Sequence, residues 1–281
     1  MADCYAVLRP EEYKTMALPL KERWMGLRNY QSKDFWAMVF ARPMTILLLL
    51  PVADIPWVTP NLITVLGVIA KLAGILLVAF DHSFTGGLIG ALLINLGLVL
   101  DNMDGTLARY RNNGSMIGYY VDKSVDIIGL AAMFIALAWR AFSQSGEPID
   151  LLLPMAAFAG TSVTAYSKWI AARVEADANL RKGLEDGTLE EYARSRVDNN
   201  KSEAPPKRSA ADWVRWFMSA IASIRKFNEV DIYFFVLLAL AIDYVQLFTR
   251  YASGVYALGL VVGPLFFHFQ LKALLKSRNM K

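Results

Sequence analysis

Residues 101–126 read DNMDGTLARYRNNGSMIGYYVDKSVD, and four aspartates in this stretch, Asp101, Asp104, Asp122 and Asp126, sit beside long apolar runs. Ionisable groups at membrane depth are costly and mark functional sites by default. The remainder of the chain therefore reads as their housing. Of its 281 residues 56% are hydrophobic and mean hydropathy is +0.35, above the roughly 45–50% apolar content of soluble domains. The reading is an all-α integral membrane protein of six transmembrane helices with an N-terminal interfacial helix.

The 3.6-residue repeat puts Asp101, Asp104, Gly105, Ala108 and Arg109 within an arc of roughly 140° on one helix. Beyond the turn signal Asn112-Asn113-Gly114, Gly118, Asp122 and Asp126 recur at i, i+4 and i+8 on the next. Antiparallel pairing about Asn113 predicts two carboxylate layers, Asp104 with Asp122 and Asp101 with Asp126.

Outward from that hairpin, the spans are expected at Asn61–Phe80, Leu88–Arg109, Gly118–Trp139, Leu151–Ala171, Ile232–Arg250 and Gly254–Leu275. Spanning takes about 20 apolar residues. Phe35–Leu50, broken by Arg42-Pro43 and closed by Pro51, is too short and reads as an interfacial helix with Trp36 at headgroup level; a kinked first span is the alternative. Residues 1–56 form a cytoplasmic arm plus that helix, 57–275 the catalytic domain, and 276–281 a tail. A charged insertion at about 172–230 carries a capping box, Thr188-Leu-Glu-Glu191, a Pro205-Pro206 hinge, and an amphipathic pattern through Trp213, Trp216, Phe217, Ile221 and Ile224. Asp243 and His268 are isolated polar residues of packing type.

Of the 29 Lys and Arg, only Arg140 and Arg250 fall on one side of this plan, and Lys71, Lys123 and Lys168 fall within spans. The positive-inside rule then places both termini and the Asn113 turn in the cytoplasm. The first residues lack the basic-then-apolar pattern of a cleaved signal peptide, in keeping with a cytoplasmic start. A single cysteine, Cys4, excludes an intrachain disulfide and a thiolate metal site. Basic residues interleaved with acids give no nucleic-acid surface.

Four clustered carboxylates raise one another's pKa unless cations neutralise them. Hard divalent ions with oxygen ligands, Mg²⁺ or Mn²⁺, are the natural partners, and a two-metal site uses all four acids. Glycines on both stripes leave room for close approach of a nucleotide, and Arg109 offers a charge-assisted contact to phosphate. The plainer alternative pairs the acids with Arg109, Arg111 and Lys123 as structural ion pairs. Lys71, mid-span, either snorkels or faces a polar cavity. Thr161, Ser162 and Thr164 are of helix-packing type, while Lys168 suggests a polar pocket at the end of its span.

Asp101-x2-Asp104-Gly105-x2-Ala108-Arg109-x8-Gly118-x3-Asp122-x3-Asp126 resembles, without gap or substitution, the signature of the CDP-alcohol phosphotransferases (CDP-alcohol phosphatidyltransferases). Thr59-Pro60-Asn61-x2-Thr64 is also similar, as is the six-span plan, over roughly residues 35–275. The resemblance implies transfer of a phospho-alcohol group from a CDP-linked lipid donor such as CDP-diacylglycerol to an acceptor hydroxyl, releasing CMP. It implies Asp101, Asp104 and Asp122 as metal ligands, with Asp126 beside the metals as general base. It also implies Asn61, Thr64, Gly105, Ala108, Arg109 and Gly118 along the CDP moiety. Relatives that use phosphorylated polyols end span four in a Tyr-x-Lys/Arg-x-Arg-x-Glu run. Tyr166-Ser-Lys168 begins such a run, but Arg173 and Glu175 come three residues late, a departure that counts against a phosphorylated polyol and leaves the acceptor unassigned. Lys71, Tyr166 and Lys168 are the acceptor-pocket candidates. Membrane lipids are partners, and a homodimer is an expectation since such families commonly form one. The competing class is a cation transporter or channel using the carboxylates as an ion site; a scaffold with a dead site is a third.

Overall fold

The computed structural model describes residues 19–27, 34–111, 116–188, 215, 218–219 and 229–277, and among these there is no β-strand. Cys4, the Asn112–Gly114 turn, the capping box beyond Thr188, Pro205-Pro206 and all but isolated residues of the Trp213–Ile224 pattern lie outside the described residues. The helices are α1 (Leu20–Leu27), α2 (Ala37–Val52), α3 (Pro60–Phe80), α4 (Phe84–Tyr110), α5 (Met116–Ser145), α6 (Ile149–Glu185), α7 (Asp231–Ala241) and α8 (Leu247–Lys276). Five of them, α3, α4, α5, α6 and α8, contain stretches long and apolar enough to cross a membrane. The protein is an all-α integral membrane protein.

Helix starts follow local chemistry. Thr59, extended at φ −97°, accepts a hydrogen bond from the Leu62 amide, and Pro60 takes the first helical position, where no amide donor is needed. Ser83 caps α4 in the same way through the Gly86 amide. Helix α2 opens with a π-helical turn at Ala37–Ala41.

The chain divides into two compact units. The first holds α1–α4, the first half of α5, and α7. Its closest packing is between α3 and α4, where glycines seven residues apart face each other in antiparallel register. A Cβ on Gly74 would stand 2.6 Å from the Gly90 carbonyl oxygen, and one on Gly97 would stand 3.0 Å from that of Gly67. Small residues are what let helix backbones approach in a bilayer, where lipid tails remove the hydrophobic drive between helices. On its other face α4 presents Val99, Met103 and Leu107, at i, i+4 and i+8. These pack with Leu27, Leu49, Ala53, Val58 and Ile63 in a buried cluster.

Polar clamps fix the ends of this unit. Arg111 donates to the carbonyls of Ala53, Ile55 and Val58 at 2.8–3.1 Å. Asp54 pairs with Arg23 at 2.7 Å and accepts from the Tyr110 hydroxyl at 2.8 Å. Asn95, buried in α4, accepts from Trp36 Nε1 at 2.8 Å and donates to the Tyr233 carbonyl of α7 at 3.4 Å.

Two expectations change here. Trp36 is buried rather than at headgroup level, because its indole N–H has a protein acceptor in Asn95 and its ring stacks on Phe40 at 4.7 Å. Pro51 does not close α2, which runs one residue further; Arg42 at the supposed interruption is buried and donates to Thr106 at 3.1 Å.

The second unit holds the rest of α5, α6 and α8. Thr164 donates to the Gly259 carbonyl at 3.1 Å, and a Cβ on Gly160 would collide with the Tyr256 carbonyl, so this pair too rests on small residues. Asp150 is fully buried and accepts from Ser145, Thr249 and twice from Arg250, all within 2.6–2.9 Å.

The span expected at Ile232–Arg250 is interrupted. Helix α7 has 11 residues and stops at Ala241, Asp243 takes φ +54°, and the helical path resumes at Leu247. Aspartate tolerates this left-handed conformation better than most residues, and residues 241–244 are exposed. Helix α6 also runs beyond its expected end at Ala171, to Glu185.

Replacing Gly74 with Val should cost about 1–3 kcal/mol by overpacking. A thermal-unfolding midpoint in detergent equal to that of the wild type would show that α3 and α4 do not depend on this contact.

Candidate active site

Helices α4 and α5 bring three carboxylates together. Asp101, Asp122 and Asp126 each offer an oxygen, and these atoms lie within 4.8 Å of one another. Asp122 and Asp126 share one face of α5 because they are four residues apart, and Asp101 comes from α4.

Asp104 stands apart from this group. It is buried, one of its oxygens accepts from the Thr64 hydroxyl of α3, and the other accepts from the Gly105 amide. The expected layer of Asp101 with Asp126 gains Asp122, making a three-acid group. Asp104, held by the Thr64 hydroxyl of α3, lies outside that group but interacts electrostatically with Asp122.

Two lysines enter the same group. Lys71, only 6% exposed, reaches from α3 to Asp101 at 3.4 Å and to Asp126 at 3.3 Å. A Cβ on Gly97 would collide with Lys71 Cγ, so α4 lacks a side chain where this lysine passes. Lys71 was an acceptor-pocket candidate; it belongs to the aspartate cluster. Snorkelling is excluded for the same reason, since the ammonium is held by carboxylates from α4 and α5. Lys123 bridges Asp122 at 3.0 Å and Asp126 at 2.9 Å from a half-exposed position. Ion pairs thus exist in the cluster through Lys71 and Lys123, while Arg111 is occupied with the 53–58 carbonyls.

Sequence reading missed Tyr233 of α7, which is buried and close enough to Lys71, Asp101 and Asp126 to interact electrostatically with each. No spacing rule links it to residues more than 100 positions earlier. Among the nucleotide candidates, Gly105 and Ala108 are half-buried on α4. The exposed Arg109 lays its guanidinium over Gly105, with Nη1 3.4 Å from where a Cβ would stand. Asn61 and Gly118 are exposed at the starts of α3 and α5.

The other acceptor candidates lie in the second unit. Lys168 lines a cavity of about 190 Å³ with Glu175, Phe267, Gln270 and Leu271. Tyr166 is exposed, stacks on Trp169 at 6.3 Å and does not line that cavity. Arg173 pairs with Asp177 along α6 at 3.5 Å.

The donor set suits a divalent ion. At Mg–O distances of about 2.1 Å, ligands on opposite sides of the ion are roughly 4.2 Å apart. Three carboxylate oxygens within 4.8 Å of one another come close to that spacing, and an all-oxygen set selects a hard cation.

Comparison with known proteins agrees with the geometry. Residues 57–182 match the family model described as CDP-alcohol phosphatidyltransferase. Those residues form a CDP-alcohol phosphatidyltransferase domain. The chain is 28% identical over 182 residues to phosphatidylinositol phosphate synthases of Mycobacterium bovis and Mycobacterium tuberculosis, covering 61% of this chain and 79% of theirs. It is 31% identical over 121 residues to the protein of that name from Mycobacterium marinum, covering 42% of this chain and 48% of the relative. The matched domain contains α3, α4, α5 and most of α6, and hence all four aspartates. The protein is a membrane-embedded transferase of phospholipid synthesis that moves a phosphatidyl group from a CDP-alcohol, and the family that its domain matches uses divalent metal ions.

Thr64→Val removes a donor from Asp104 while keeping side-chain volume. Activity, measured as kcat/KM for the CDP-lipid, should fall about tenfold, in line with loss of a hydrogen bond to a charged group; an unchanged value would mean that Thr64 does not position Asp104.

Proposed function

We propose that the enzyme transfers the phosphatidyl group of CDP-diacylglycerol to a hydroxyl of a phosphorylated inositol, with CMP as the leaving group. The observation that carries the reaction is the convergence of Asp101, Asp122 and Asp126 within 4.8 Å inside the complete aspartate motif. Asp101, Asp104 and Asp122, together with Asp126, would hold Mg²⁺ or Mn²⁺, two ions in all. When bound, they supply positive charge to the pyrophosphate and to the departing CMP.

The chain's own residues do the rest. Asp126 accepts the proton of the acceptor hydroxyl as general base. The oxygen so activated bonds to the phosphorus that carries diacylglycerol, and the bond from that phosphorus to the CMP oxygen breaks with its electron pair on CMP. Arg109 donates to phosphate. Gly105, Ala108 and Gly118 present little bulk along the nucleotide, and Asn61 and Thr64 border it from α3.

Relatives named for phosphatidylinositol phosphate favour this acceptor. The distribution of Lys and Arg supports a cytoplasmic active site with both termini on the same side.

The test uses purified protein in lipid nanodiscs with Mg²⁺ or Mn²⁺ and CDP-diacylglycerol. Inositol phosphate, inositol and glycerol phosphate are compared by CMP release. Inositol phosphate should give the highest rate. Asp126→Asn should lower CMP release at least about a hundredfold while Mn²⁺ and CDP binding stay measurable. Full activity in that variant would overturn the base assignment, and metal flux without CMP release would point to transport.

A further inference from the structure

The two lysines in the cluster differ in ways that assign them different fates. Lys71 is enclosed: its side chain is 8% exposed, its stem passes the gap left by Gly97, and its ammonium is shared between α4 and α5 through Asp101 and Asp126. Lys123 is 56% exposed on its side chain. Its stem has no comparable enclosure, and it reaches back to Asp122 and Asp126 on its own helix.

Asp122 and Asp126 are two of the three acids that fit a divalent ion. An ammonium at 2.9–3.0 Å from their oxygens competes for lone pairs that an ion would need. A half-exposed pair of this kind is weak, and a lysine on a flexible four-carbon stem can leave it for water without loss of packing. Lys71 has no such exit. Moving it would leave a buried ammonium without its carboxylates, which is among the costlier changes a protein interior can undergo.

We propose that Lys123 is an exchangeable counter-charge, seated on Asp122 and Asp126 and displaced to solvent when a divalent ion binds there, while Lys71 is a resident positioning residue that stays on Asp101 and Asp126. The arrangement keeps three close carboxylates together between metal-binding events. It also sets the affinity of the site below what the bare acids would give. The inference rests on the reading of the cluster as a divalent-metal site.

The test follows lysine reactivity and metal binding in the full-length protein in nanodiscs. Amine-specific labelling of wild type, read by mass spectrometry, should show Lys123 several-fold more reactive in Mn²⁺ than in chelator, and Lys71 unreactive in both. Lys123→Met should bind Mn²⁺ about five- to tenfold more tightly than wild type by electron paramagnetic resonance titration. It should also unfold at a lower temperature than wild type in chelator, with the difference narrowed or abolished in Mn²⁺. Equal Lys123 reactivity in the two conditions, or unchanged or weaker Mn²⁺ binding in Lys123→Met, overturns the exchange. Failure of wild type to bind Mn²⁺ at all overturns the metal reading instead. The labelling arm needs no variant and stands even if Lys123→Met does not fold.

Discussion

Carboxylates clustered on membrane-spanning helices must be compensated by something, and the first unit is built around that requirement. Asp101, Asp122 and Asp126 lie within 4.8 Å of one another, a separation at which like charges are strongly unfavourable in a low-dielectric setting. Lys71 and Lys123 provide part of the compensation, and Asp104 is held by Thr64 and the Gly105 amide. For Lys71 to arrive, α3 must come within backbone contact of α4, and the glycines at 67, 74, 90 and 97 permit it. For α4 to hold its place, Val99, Met103 and Leu107 must be buried on the face away from the acids. The same helix is thus apolar on one side and chemical on the other.

The second unit solves the same problem without catalysis. Asp150 is buried as deeply as any acid here, yet its four short contacts to Ser145, Thr249 and Arg250 use its lone pairs fully. A saturated carboxylate is structural, since nothing further can bind it cheaply. The aspartate cluster differs in that its contacts come partly from a half-exposed lysine, which leaves it open to exchange.

Much of this was legible in the residues. The helical stripes of acids, the Asn61–Phe80 span and the insufficient length of Phe35–Leu50 follow from local rules of period and span length. What was not legible depends on distant partners. Trp36 reads as a headgroup anchor until Asn95, 59 residues away, accepts its N–H. Lys71 reads as a cavity residue until Asp101 and Asp126 meet it from 30 and 55 residues further on. The break at Asp243 has no glycine or proline to announce it; a lone aspartate in an apolar run looks the same whether it is packed in a helix or turns the chain. Tyr233 belongs with these, since α7 packs against α4 from more than 100 residues further along the chain.

Lys71 also bears on how the protein enters a bilayer. Helix α3 is apolar along nearly its whole length apart from this residue, and a lysine at mid-helix costs about 2.5–3.5 kcal/mol on insertion. Its first carboxylate partner is on α4 and its second on α5. The helix therefore reaches its lowest free energy in lipid as one arm of a hairpin rather than as a lone span. The charge that serves the finished site also makes the early assembly of α3 with its neighbours favourable.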